Sequence, residues 1–229
     1  MTNNQQPTTN RGFTLTELLI SVVIVSVILT VVVSRQSTYT DSVALANLAD
    51  EISSMVFQTQ AYSIGVKEFP PGSGNFSTSY GLTFSLLGSG SNTAYLSFAD
   101  RNHNEIYDDD WSCPIEGLPG AAPECIERID ISGGNYIESL CAVRTLGPGA
   151  WGPKDICNVG RIDISFGNSS SETRILFFNT GGELFNPAYD IEGAKIVLKS
   201  PGGLNWSVIV YNTGQVSVLK SESMESGTQ

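Results

Sequence analysis

The sequence predicts an α+β protein: one long N-terminal helix, transmembrane and then amphipathic, packed on an antiparallel β-sheet head of one or two sheets. Three observations predict it. Phe13 to Val33 is an apolar run with no proline or glycine and one charge, Glu17. Beyond it, Leu45, Leu48, Ala49, Ile52, Met55 and Val56 recur at helical spacing. From Gly65 onward, short alternating segments are divided by glycine- and proline-bearing turns.

Residues 1–12, MTNNQQPTTNRG, are polar and read as a removed targeting segment. An ordinary secretory signal does not fit: the apolar run exceeds the ~7–15 residues of a signal core, and no small-x-small cleavage site follows it. Residues 13–33 are long enough to cross a bilayer as a helix. The β-branched stretch Val22–Val33 favours strand in water, but in lipid a helix satisfies its own backbone. A plain signal anchor flanked by Arg35 explains the length of this run but not Glu17. A carboxylate at mid-bilayer costs ~2.5–3.5 kcal/mol on insertion scales, so a helix that serves only as an anchor has no use for it.

Residues 34–64 continue the helix as its amphipathic part, with Asn47, Asp50, Glu51, Ser54 and Gln58 opposite the apolar face and Thr59 extending that face weakly. Gly65 is the predicted stop. Residues 65–220 form the β-rich head. Its predicted strands are Tyr80–Leu86, Ala94–Ala99, Glu127–Ser132, Arg161–Phe166, Arg174–Phe178, Lys195–Lys199, Ser207–Tyr211 and Gln215–Leu219. The two stretches Glu127–Ser132 and Arg161–Phe166 share Arg-Ile-Asp-Ile-Ser, with isoleucines on one face and polar residues on the other. The last two strands, about Asn212-Thr213-Gly214, form a hairpin candidate. Residues 221–229 are a polar tail.

Acidic residues number 23 against 12 basic ones. That balance argues against a nucleic-acid surface, which relies on clustered Lys and Arg. Cys113, Cys125, Cys141 and Cys157 all fall in the head and are expected to pair in an oxidising compartment. Four cysteines allow three connectivities. The sequence-local one, Cys113–Cys125 with Cys141–Cys157, is the working expectation, each bond contributing ~3 kcal/mol on the chain-entropy model. A zinc site would need short C-x₂-C spacings, which are absent.

The stretch Asp100-Arg-Asn-His-Asn-Glu-Ile-Tyr-Asp-Asp-Asp-Trp111 is a candidate calcium loop. Side-chain oxygens of Asp100, Asn102, Asn104 and Asp108 fall at positions 1, 3, 5 and 9, with the Ile106 carbonyl at 7. Asp109 and Asp110 add carboxylates near the place of the bidentate ligand. Two positions depart from that pattern: Glu105 stands where such loops carry glycine, and Trp111 where they carry glutamate. The alternative is an Asx-rich turn that satisfies its own backbone. No cofactor is required, and calcium is the one candidate ion.

An enzyme is not predicted. His103 is the single histidine and lies within the acidic loop, and no G-x-S-x-G, H-E-x-x-H, phosphate loop or Rossmann glycine set occurs. Gly88–Gly90 and Gly147–Pro153 read as turn-forming loops. Trp111, Trp151 and Trp206 suit either a core or a ligand-facing position.

The segment Arg11-Gly12-Phe13-Thr14-Leu15-Thr16-Glu17, followed by its long apolar run, resembles the start of type IV pilins and type II secretion pseudopilins. The resemblance implies cleavage by prepilin peptidase between Gly12 and Phe13 and methylation of the new amino terminus, giving an N-methylphenylalanine. Glu17 then becomes the fifth residue of the mature chain. It implies that this carboxylate attracts the positive N-terminus of an adjacent subunit as the chain enters a filament. It further implies a single-pass protein of the bacterial cytoplasmic membrane with its head outside, later part of a periplasmic or extracellular filament. The partners implied are other pilin or pseudopilin subunits, the peptidase, the membrane and, indirectly, an assembly platform and its ATPase. Nucleic acid is not among them. The head, with its final glycine-turned strand pair, is similar to the H-type pseudopilins and related minor pilins, whose heads set two antiparallel sheets against the helix. The rival reading is a membrane-anchored extracellular binding domain that never polymerises.

Overall fold

The computed structural model describes residues 12–65, 67–69, 71–72, 74, 76–113, 123–145, 154–167, 173–185 and 190–221, with backbone alone at 34–38 and 221. The leader before Gly12, the Gly147–Pro153 loop with Trp151, and the tail beyond Ser221 lie outside the described residues. The chain divides into two units, Met1–Thr40 and Asp41–Gln229, and a single helix, α1 (Leu15–Ile64), contributes to both.

In the first unit, α1 is long and apolar enough over Leu15–Val33 to cross a membrane. Its large apolar side chains from Leu18 to Val33 are each at least 53% exposed. The hydroxyls in this stretch are satisfied by the helix itself. Ser21 donates to the Glu17 carbonyl, Ser26 to Val22 and Thr30 to Ser26, each at 2.8 Å. Such back-bonding lets a hydroxyl sit in an apolar environment without an orphaned polar group.

In the second unit, α1 buries Leu45, Leu48, Ala49, Ile52 and Val56. Thr59 lies on the same face, its hydroxyl returned to the Met55 carbonyl at 2.6 Å. Asn47, Asp50, Glu51, Ser54 and Gln58 are exposed, as the helical period requires. Two side chains bind the helix end to the sheet: Gln60 Nε2 donates to the Gly214 carbonyl at 2.6 Å, and Ser63 Oγ accepts from Tyr80 N–H at 3.1 Å.

Ten strands follow: β1 (Ser79–Ser85), β2 (Ala94–Asp100), β3 (Cys125–Asp130), β4 (Tyr136–Arg144), β5 (Asp155–Phe166), β6 (Thr173–Asn179), β7 (Leu184–Phe185), β8 (Ile191–Lys199), β9 (Asn205–Tyr211) and β10 (Val216–Ser221). All pairs are antiparallel. They form one connected sheet, in the order β10-β9-β8-β4-β5-β1-β2-β3, with β6 on β5 and β7 on β6.

The long β5 explains how one sheet does the work of two. Val159 pairs with Leu140 of β4 and with Asn179 of β6. Arg161–Phe166 pair with β1 and with β6. A strand has two edges, so β4 and β1 must lie end to end along one edge of β5 while β6 holds the other. The result is two arms, β10-β9-β8-β4 and β3-β2-β1, joined through β5. Gly160 marks the crossing. The β5–β6 register shifts there, and a Cβ at this position would come 2.5 Å from Leu87 Cδ2 and 2.7 Å from the Asn179 carbonyl. Only glycine fits.

The main core lies between the buried face of α1 and both arms. It includes Leu82, Phe84 and Tyr95 from one arm, Leu140, Ile196 and Val208 from the other, and Ile162 and Ile164 from β5. A second cluster, Leu96, Phe98, Tyr107, Trp111 and Cys125, sits on the opposite face of β2 and β3. Trp111 is therefore a core residue, and Trp206 packs against the main core.

The sequence did not predict β4, the first half of β5, or the two-residue β7. β4 ends in five consecutive buried residues, Leu140–Arg144, so its strongest part does not alternate. The start of β5, Asp-Ile-Cys-Asn-Val-Gly, is polar and carries a glycine. Both are stapled by Cys141–Cys157. The other disulfide is Cys113–Cys125, so the connectivity is the sequence-local one.

Candidate functional site

Gly12 and Phe13 precede α1 and are exposed, Phe13 at 75%. Thr14 caps the helix. Its carbonyl accepts from Glu17 N–H at 3.1 Å and Leu18 N–H at 3.2 Å, and its Oγ accepts from Glu17 N–H at 3.3 Å. Thr14 and Glu17 thus have the spacing of a capping box, Thr-x-x-Glu. Glu17 Oε2 accepts a long hydrogen bond, 3.4 Å, from the Thr14 hydroxyl. Among the described residues this hydroxyl is the carboxylate's one hydrogen-bonding partner. An acidic side chain in the first helical turn also faces the positive end of the helix dipole. The segment therefore presents an exposed Gly12–Phe13 bond and, one turn later, a carboxylate with no cation beside it among the described residues.

The acidic loop follows β2 and covers the second core cluster. Asp100 is fully buried, and its two oxygens accept from Asn104 N–H at 3.2 Å and Glu105 N–H at 2.9 Å. Asn102 Oδ1 accepts from Asn104 N–H at 3.1 Å, and Asn104 Oδ1 from Ile106 N–H at 2.9 Å. The amides of Asn102 and Asn104 both donate to Asp108 Oδ2, at 2.7 and 2.6 Å. The structure thus brings Asp100, Asn102, Asn104 and Asp108 together, held by Asx turns and each other. Asp110 Oδ1 accepts from Ser112 N–H at 3.4 Å. Glu105 adopts φ +66° where calcium loops place glycine. Among the described residues, no three His, Cys, Asp or Glu side chains are grouped as a metal site.

Residues that the sequence pattern did not single out hold the loop to the sheet. Asp163 of β5 is fully buried. It accepts from the Thr83 hydroxyl at 2.6 Å, from Tyr107 N–H at 3.1 Å and from Arg161, whose Nε lies 2.8 Å away. Arg161 also donates to the Tyr107 carbonyl at 2.5 Å. Burial raises the Asp163 carboxyl above its ordinary value, opposed by the guanidinium and the Thr83 hydroxyl. Glu124 accepts from Arg101 N–H at 3.2 Å and Asp108 N–H at 3.0 Å, so one carboxylate grips both ends of the loop. Burial raises its carboxyl as well, with Asp108 and Asp100 adding to the effect. Asp109 accepts from Glu124 N–H. The signal available in sequence was the Arg-Ile-Asp repeat, but nothing in it distinguishes a buried copy from an exposed one.

Residues 8–33 match the family model described as the prokaryotic N-terminal methylation motif. The match supports a type IV pilin-like protein, made as a precursor with a class III leader. The motif implies processing by prepilin peptidase and assembly with other pilins, a structural rather than a catalytic role. With the apolar helix, it points to membrane anchoring and a pilus-type extracellular portion. No curated protein and no solved structure matches the chain.

Proposed function

We propose that this chain is a structural subunit, a minor pilin or pseudopilin, of a type IV pilus or type II secretion pseudopilus. It is cut after Gly12, methylated at Phe13, and held in the cytoplasmic membrane with its head outside until it is drawn into the filament. The platform protein and ATPase of the assembly machine drive that extraction. The observation that carries this reading is the methylation motif on a helix whose Leu15–Val33 stretch bares its apolar side chains and carries one acid, Glu17, with no cation beside it among the described residues. Inside a filament, an unpaired buried carboxylate is heavily penalised. The ammonium of a neighbouring mature Phe13 removes that penalty and fixes register.

Mass spectrometry of protein from the native host is expected to find a mature chain beginning at methylated Phe13. An intact Met1 would instead favour the membrane-tethered binding domain. Glu17→Val is expected to insert normally yet drop out of sheared filaments, and normal incorporation would remove the role given to Glu17.

The acidic loop, on this reading, is a structural cover that folds without metal, and calcium meets its exposed oxygens only as an exchangeable surface ion. Asp100 and Asp108, the carboxylates at loop positions 1 and 9, already accept hydrogen bonds from the loop's own amides. Excess EDTA is expected to leave the thermal midpoint of the head unchanged, whereas a clear fall would show a structural metal.

A further inference from the structure

We propose that Cys141–Cys157 is a reducible latch at the junction of the two arms of the head. β4 and β5 share only three paired positions, Leu140–Val159, Ala142–Ile156 and Val143–Asp155, and the register slips between Leu140 and Ala142, at Cys141 itself. On its other edge β4 is paired with β8 along its whole length, from Tyr136–Lys199 to Arg144–Ile191. Past Gly160, β5 is held on both edges, by β1 from Tyr80 to Ser85 and by β6. Each arm therefore has a complete ladder of its own. The segment 155–159 is the weak link in the main-chain ladder between them, and the disulfide crosses it.

The two cysteines are unequally exposed. Cys141 is fully buried, whereas Cys157 is exposed. A dithiol reductant reaches the latch from the Cys157 side. Its thiolate attacks Cys157 Sγ, the Cys157–Cys141 bond breaks, and Cys141 leaves as a thiolate that takes up a proton. The second thiol of the reductant then attacks the mixed disulfide. It releases Cys157 as a thiolate that is protonated in turn, and the reductant departs as a cyclic disulfide. Two electrons and two protons pass to the protein. The remaining three-position pairing then opens and closes freely, while β1-β5-β6 and β4-β8-β9 stay intact.

Hydrogen–deuterium exchange on the full chain in detergent, with and without dithiothreitol, tests this. Opening of the bond is followed by alkylation mass. Reduction is expected to speed exchange at residues 140–144 and 155–159 by roughly tenfold or more, with less than about twofold change at 161–166 and in β8–β9. Dithiothreitol also opens Cys113–Cys125, so the oxidised variant Cys113→Ala/Cys125→Ala is measured alongside and is expected to leave 155–159 slow. Equal acceleration in both arms, no acceleration at 155–159, a bond that resists the reductant, or fast exchange in the control variant overturns the proposal.

Discussion

Arg-Ile-Asp-Ile-Ser occurs at 128–132 and again at 161–165, and the two copies make the same ion pair with different consequences. In both, the isoleucines turn to the core and arginine Nε meets the aspartate two residues on, at 3.0 Å for Arg128–Asp130 and 2.8 Å for Arg161–Asp163. The first pair is on an edge strand with the Asp130 side chain 73% exposed; the second lies under the acidic loop with Asp163 at 0%. Solvent-exposed pairs contribute little, whereas removing one partner of a buried pair strands the other charge. Asp163→Ala is therefore expected to cost about 3–5 kcal/mol in urea denaturation, and Asp130→Ala no more than ~1 kcal/mol. Glu124 gives a pH signature. Its folded carboxyl titrates above the ordinary glutamate value of 4.5. The folded state thus binds a proton that the unfolded state has already lost, and stability from this group falls as pH rises through that window. Melting curves of Glu124→Gln are expected to show a shallower decline between mildly acid and neutral pH than the parent protein.

Gly160 shows what an element can demand of one position. Gly160→Ala is expected to destabilise the head by about 1–3 kcal/mol, because the added methyl meets the Asn179 carbonyl and Leu87 inside a packed junction; chemical denaturation measures it. Nothing local in Asn-Val-Gly-Arg announces this requirement, since it arises from three strands meeting. The helix was legible for the opposite reason. Its buried positions follow a 3.6-residue period over Leu45–Val56, a pattern set by one face of one element. The alternating strands and the glycine hairpin at Gly214, φ +81°, were legible on the same grounds. β4 was not, because a strand buried on both faces loses its alternation. At the candidate site, Gly12, Phe13 and Glu17 were readable as a linear motif. The anchors of the acidic loop were not, since Thr83 and Asp163 lie 80 positions apart in the sequence.

At the scale of the whole molecule, the division at Thr40/Asp41 separates two kinds of environment. The Leu15–Val33 stretch of the first unit is apolar; the second unit carries all four cysteines and nearly all of the 23 acids. Six ion pairs among its described residues engage Arg128, Lys154, Arg161, Arg174, Lys195 and Lys199, so most of the head's basic groups are matched internally. Its outward field is left to carboxylates, which keeps separate heads soluble and apart.

The chain order of the sheet also sets a clock. β1 leaves the ribosome early, yet the neighbour it needs, the far half of β5, is not made until some 80 residues later. Until then the β1–β2 hairpin waits with one border unmatched. Closing so wide a gap is slow, of the order of milliseconds to seconds for β-rich topologies. The nascent chain thus has a period when its unfinished border is open to chaperones, proteases or a stray strand from elsewhere.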